Sequence, residues 1–186
     1  MAVASRTVTT VRLRPEGPAD VLAVNQLVAE AFAKPDGGLP AEVQLIDALR
    51  GSDAWLPELS MVAEVDGKLV GYALLSRVKV VPSGIAALVL GPVAVAPRRQ
   101  RRGYGQDVVR AVLDAAAELG ERIVVVLGNP AFYRRFGFEP AARHGLTSPW
   151  SGLGDPWQVL MLPSVDGTTS PVPSGEVVFP APWARV

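Results

Sequence analysis

The chain contains no cysteine and a single histidine, His144. Without cysteine there is no disulfide framework, no thiol nucleophile, no thiolate zinc site and no iron–sulfur ligation. With one histidine, a His-rich metal site within one chain is excluded, and any Ser-His-Asp triad would have to run through His144. Net charge is also absent: 18 Lys+Arg balance 18 Asp+Glu. Nothing global therefore pulls the chain toward nucleic acid or an anionic membrane, and such binding would need a local patch. The longest apolar run, residues 85–96, is broken by Gly91 and Pro92 and is too short to span a bilayer. Residues 1–10 lack the apolar core of a signal peptide. A cytoplasmic protein without metal, membrane or nucleic-acid partners is the expectation.

What is present is ample apolar material. Hydrophobic residues make up 49% of 186, enough for the packed core of one ordinary domain. Residues 8–13 alternate weakly and predict a first strand. Residues 19–33 place Val21, Val24, Val28, Ala31 and Phe32 on one helical face, and residues 41–50 predict a second short helix. Between them, residues 34–40 hold two prolines and two glycines and predict a break. Strand-like runs at 59–65 and 69–81 flank Asp66-Gly67, a strong hairpin signal because both residues tolerate positive φ. A third strand is predicted over 85–95. The period then becomes helical over 103–119, with Gly120 placed to end it. Residues 123–127 (IVVVL) form a continuous apolar strand of the kind buried on both faces, and 130–136 a short helix. Residues 158–162 and 176–179 are late strand candidates in a proline-rich tail. This order predicts a single α/β (α+β) domain with a mixed sheet.

The chemistry concentrates in residues 90–129. A strand, LGPVAVAP, runs into RRQRRGYG and then a long helix. Gly103 and Gly105 let the backbone turn tightly and approach a ligand closely. The helix start offers free amides and the positive end of its dipole, which suits phosphate. Arg98, Arg99, Arg101 and Arg102 add positive charge there, and a diphosphate matches that clustering best. Two familiar phosphate loops do not fit. A Walker A loop needs Gly-Lys-Ser/Thr, but lysine occurs only at 34, 68 and 79. The dinucleotide fingerprint needs a third glycine where Val108 stands.

Val95-Ala96-Pro97 followed by Gln100-Arg101-Arg102-Gly103-Tyr104-Gly105 resembles the Gln/Arg-x-x-Gly-x-Gly/Ala signature of the GNAT acetyltransferases. Gly128-Asn129-Pro130, Tyr133 and Phe136-Gly137-Phe138 look like that family's second motif, at a fitting distance. The resemblance covers residues 8–138 and is greatest to small bacterial members with a proline-rich C-terminal extension. It implies a mostly antiparallel central sheet, splayed around the cofactor and flanked by helices, over residues 1–162, with 163–186 as an extension packed on it or partly disordered.

The resemblance further implies that residues 100–105 cradle the pyrophosphate of acetyl-coenzyme A, with Arg101 and Arg102 near its charge. The main chain at Val93, Ala94 and Val95 would lie along the pantetheine arm, Val93 and Val95 pairing with it. An N–H near Val93 would polarise the thioester oxygen. Asn129 would hold the pantetheine, and Tyr133 would protonate the departing thiolate. An amine would attack the thioester directly, with no covalent enzyme intermediate. Glu64, on a strand that lines the cleft in the family, is the first candidate for the general base, Glu42 and Asp36 are the alternatives, and a water chain with no dedicated side chain is a further one.

Plainer roles stand beside these. The arginines could be a solvated loop or a nucleic-acid patch, Tyr133 a core aromatic, Asn129 only a helix N-cap and Glu64 a solvent-facing strand residue. His144 reads as a surface or turn residue. Trp55, Trp150 and Trp157 could line a substrate pocket or simply pack loops. The same cofactor loop would serve a non-catalytic acyl-coenzyme A sensor. A homodimer with the late strands paired across an interface is a further expectation.

Overall fold

The computed structural model describes residues 10–163 and 173–185. The first residues of the strand expected over 8–13, and residues 164–172 of the proline-rich tail, lie outside the described residues. The elements in chain order are β1 (Arg12–Pro15), α1 (Val21–Ala31), α2 (Ala41–Arg50), β2 (Ser60–Val65), β3 (Lys68–Val81), β4 (Ile85–Val95) and α3 (Tyr104–Glu118). These are followed by β5 (Ile123–Leu127), α4 (Pro130–Tyr133), β6 (Glu139–Pro140), β7 (Leu146–Thr147), β8 (Trp157–Met161) and β9 (Gly175–Val178).

One mixed sheet holds them in the order β1-β2-β3-β4-β5-β8-β6. Its pairs are antiparallel except β4–β5 and β7–β9. The turn between β2 and β3 follows from its two residues: Asp66 and Gly67 both take positive φ, 50° and 73°, which matches the strand twist. β9 runs beside the far end of the long β3, pairing Lys79–Val81 with Glu176–Val178. The late strands thus pair inside the chain. β8 lies between β5 and β6, and β9 between β3 and β7.

Helices cover both faces. α3 turns Val108, Val109, Val112, Leu113 and Ala116 onto one face of the sheet, against Ala63, Ala73 and Val126. Each fully buried Val or Leu there contributes about 1.5–3 kcal/mol. α1 and α2 pack Val24, Val28, Ile46 and Leu49 on the opposite face, over Val62, Tyr72 and Ala94. On the first helix Val24 and Val28 of the expected stripe are buried together with Leu27, while Ala31 and Phe32 are half-buried against the same core, and a 3₁₀ turn at Pro18–Asp20 precedes the α-helix.

The feature that positions the site is a fault in β4. Ala73 pairs with Val93 but Leu75 with Leu90, so β4 carries an extra residue at Gly91-Pro92, a β-bulge. Pairing of β4 with β5 covers only Leu88–Leu90 against Val124–Val126 and stops there. Beyond Leu90 the two parallel strands part.

Candidate active site

The parted strands open a cavity of about 530 Å³. Val89 to Val93 and Val95 form one wall, and Leu127, Gly128 and Asn129 the other. Gly105 and, from α4, Phe132 and Tyr133 complete this part of the lining.

Along β4 the direction of the main chain follows from one bond. The amide of Ala96 donates to Val70 O on β3, 3.0 Å. Strand alternation then turns Ala94 toward β3 as well, and turns the N–H and C=O of Val93 and Val95 toward the side that β5 has left. Consistent with this, the Gln100 side-chain amide reaches Val95 O at 3.3 Å. Of the three residues named along the pantetheine path, Val93 and Val95 therefore face the gap. Ala94 is buried against the α1–α2 face instead.

At the end of β4 the chain makes a 3₁₀ turn, Pro97–Arg99, and enters α3 through Arg101 at φ 61° and Gly103 at φ 94°. The amides of Gln106 and Asp107 are taken by Gly103 O, 2.8 and 3.0 Å. Among the described residues, no hydrogen bond uses the amide N–H groups of Arg101, Arg102, Gly103, Tyr104 and Gly105. Five successive free donors at the positive end of a 15-residue helix form a cradle for an anion. Arg101 and Arg102 are exposed beside it and, among the described residues, have no carboxylate within ion-pair distance. The Tyr104 side chain points the other way, into the core under α3. Its contribution to the cradle is its main chain.

On the opposite wall, Asn129 caps α4, its Oδ1 accepting from Ala131 N–H at 2.9 Å. Among the described residues its amide nitrogen has no hydrogen-bond partner, and the residue lines the cavity. Tyr133 is 9% exposed and packs edge-on against Phe132 and Phe138, with ring centroids 5.0 and 5.6 Å away. Burial pushes its hydroxyl pKa up to about 12. Gly128 makes room for that ring: a Cβ there would stand 2.3 Å from Tyr133 Cε2. Gln158, buried in β8, holds Gly128 in place by donating to its carbonyl at 3.2 Å. Gly128→Ala should therefore push the Tyr133 ring out of its seat. For a proton donor seated there, a loss of about 10- to 100-fold in kcat is expected, with the melting temperature lowered by a few degrees, since a 1 Å misplacement can cost about 10²-fold. Unchanged kcat would mean the ring position is immaterial.

The acidic candidates separate clearly. Glu64 does not line the cavity. Its carboxylate accepts from Arg14 Nε and Nη2 at 3.1 and 2.9 Å, and the same guanidinium holds Asp20. Hydrogen bonding to Arg14 holds the Asp20 carboxyl at about 2. The first-choice base is thus placed in a structural ion cluster under α1, and the geometry does not support that role. Asp36 accepts from Gly38 N–H in an exposed loop and is also outside the cavity. Glu42, in the first turn of α2, is the acidic residue in the lining, and no ion pair or hydrogen bond is formed by its side chain among the described residues.

Sequence reasoning missed much of the wall around Glu42. Phe32, Leu45 and Trp183 line it with Trp150. Trp183 belongs to the 3₁₀ turn Ala181–Arg185 near the C-terminus and is anchored by its indole N–H donating to Ser76 Oγ, 3.1 Å. No local periodicity announces such a residue; only its size hints at it. Of the tryptophans singled out earlier, Trp150 lines the cavity. Trp157 is core, its N–H given to Leu146 O, and Trp55 lies beneath the Arg50 guanidinium. His144 pairs with Glu139 at 2.7 Å, away from the cavity.

Comparison with known proteins agrees with this geometry. The model of the acetyltransferase (GNAT) family matches residues 23–138. The uncharacterised N-acetyltransferase YhbS of Escherichia coli K12 is 33% identical over 150 residues, 81% of this chain and 86% of YhbS. The structure of Escherichia coli YhbS in complex with CoA superposes with a TM-score of 0.81 and 29% identity, covering 97% of this chain and 95% of the other. That of a GNAT family acetyltransferase from Brucella melitensis in complex with acetyl-CoA gives 0.75 and 29%, covering 94% and 99%. Among the described residues no group of His, Asp or Glu could hold a metal ion, and no helix is long and apolar enough to cross a membrane.

Proposed function

The chain belongs to the GNAT acetyltransferase family and is an acyl-coenzyme A-dependent N-acyltransferase; on that premise we propose that it moves the acetyl group of acetyl-coenzyme A to a primary amine by direct attack, with Glu42 as base and Tyr133 as acid. The observation that carries the reading is the set of free amides from Arg101 to Gly105 continuing into the open edge of β4. The residues present fit the cosubstrate: a polyvalent anion suits the amides and the two arginines, and an amide-containing arm suits the main chain of Val93 and the N–H of Val95 on the side that β5 has left, the Val95 carbonyl being taken by Gln100. Asn129 would hold that arm from the other wall. We place the acetyltransferase unit at residues 1–162. The described part of the extension, residues 173–185, packs back on it and supplies Trp183.

The chemistry asks three things of the protein. Two reactants must be held together, which the cavity does. The ammonium of the acceptor must lose a proton, and Glu42 is placed to take it. As the C–N bond forms and the C–S bond breaks, charge develops first on the thioester oxygen and then on sulfur. The Val93 N–H faces the first and the Tyr133 hydroxyl donates to the second. Burial keeps that hydroxyl protonated at neutral and mildly alkaline pH.

The test is calorimetric titration with coenzyme A beside an assay of thiol release. Gly103→Ala introduces little steric conflict, since the nearest atom to an added Cβ is Asp107 Oδ2 at 3.9 Å. It disturbs instead the φ of 94° that aims the amides. A weakening of coenzyme A binding by about tenfold is expected from roughly 1–2 kcal/mol of backbone strain. Full affinity in this variant would sink the cradle.

A further inference from the structure

Apart from the cofactor cradle, the cavity has one charged side chain among the described residues, Glu42, and around it the wall is apolar: Phe32, Leu45, Trp150 and Trp183. The elements that supply these groups are fixed to one another. Trp150 and Trp183 meet edge-on with centroids 6.3 Å apart. Trp183 also packs over β4, its ring 3.4 Å from where a Cβ of Gly91 would stand. Leu45 follows Glu42 by one helical turn, so both sit on the face of α2 that looks into the cavity. The result is a slot with one negative charge and aromatic sides, opening onto the bulge where the thioester must lie.

From this we infer that the acceptor is a small monocationic amine with an apolar, preferably aromatic, body, such as an arylalkylamine; the inference rests on the acetyltransferase reading above. Charge complementarity decides it. Glu42 can meet one ammonium. A polyamine or an aminoglycoside would bring further ammonium groups into a lining that, among the described residues, has no second carboxylate. A free amino acid would bring a carboxylate to a lining that, among the described residues, has no Arg, Lys or His. Each such group would be desolvated without a partner, and sites reject substrates of that kind strongly. An aromatic ring instead displaces water from the indole and phenyl faces, and the ammonium gains the tryptophan quadrupoles in addition to Glu42.

The full chain is assayed for thiol release from acetyl-coenzyme A with phenethylamine, tryptamine, spermidine, lysine and a short lysine-containing peptide. Binding of phenethylamine is followed in parallel by tryptophan fluorescence with coenzyme A present. The expected result is kcat/KM for the two arylalkylamines at least about 100-fold above the other three. Trp183→Ala should raise KM for phenethylamine about tenfold or more with a smaller change in kcat, and Trp183→Phe should restore most of it. Preference for spermidine, lysine or the peptide would overturn the acceptor class and leave the acetyltransferase reading standing. Phenethylamine binding without turnover of any amine would keep the slot and overturn the catalytic reading. Neither binding nor turnover of phenethylamine would overturn the slot.

Discussion

Tyr133→Phe should lower kcat by roughly 10²–10³, the usual size of a lost general acid, while the apparent affinity for coenzyme A stays within a few-fold. The substitution removes one oxygen and nothing else. The ring keeps its edge-on contacts with Phe132 and Phe138, and among the described residues its hydroxyl has no hydrogen-bond partner that would be orphaned. Thermal stability should therefore hardly move, and the loss should fall on the chemical step. The pH profile sharpens the test. An ordinary tyrosine loses its proton near pH 10. Here burial carries that value to about 12, so the acid form persists through pH 9–10. The wild type should show no tyrosine-linked fall in kcat in that range. A kcat unchanged in Tyr133→Phe, with thiol still released at the normal rate, would return Tyr133 to the role of a core aromatic.

The parts of this molecule legible in its sequence are those written in local backbone chemistry. Asp66-Gly67 dictates its own turn, and the spacing of Val108, Val112 and Ala116 dictates the buried face of α3. The cradle was legible for the same reason. Gly103 must take a positive φ, and the helix beyond it begins with amides that nothing local can satisfy. What the sequence hid is set by pairing over distance. Glu64 on its strand is indistinguishable from a cleft residue until Arg14, 50 positions earlier, is seen to occupy its carboxylate. Trp183 lies among prolines without periodicity, yet β9 returns its segment to the sheet and the turn after β9 sets the indole against Gly91. The fold was therefore readable nearly element by element, apart from the two-residue strands β6 and β7. The half of the cavity proposed for the acceptor was not, because its wall is gathered from the end of α1, α2, the loop before β8 and the C-terminal turn.

Glu42→Gln should give the second large effect, and its shape distinguishes a base from a mere anchor. Glutamine keeps the size of the side chain and a hydrogen-bonding oxygen, but it cannot take a proton. Near neutral pH the amine substrate is almost wholly ammonium, its pKa being about 10 for a lysine-like amine. In the variant only the free amine can react, so kcat/KM should fall by roughly 10²–10³ at pH 7. It should then climb about tenfold for each pH unit as the free amine grows, until the substrate's own pKa is reached. The wild type, with a carboxylate to remove the proton, should climb less steeply. Coenzyme A binding should not change, because Glu42 belongs to α2 and not to the loop and helix start that carry the free amides. The same exchange at Glu64 strikes the Arg14–Asp20 cluster instead and should register as a lowered melting temperature. If the pH-dependent loss followed Glu64→Gln and spared Glu42→Gln, the assignment of the base would have to be reversed, and the apolar slot would lose the charge that orients its guest.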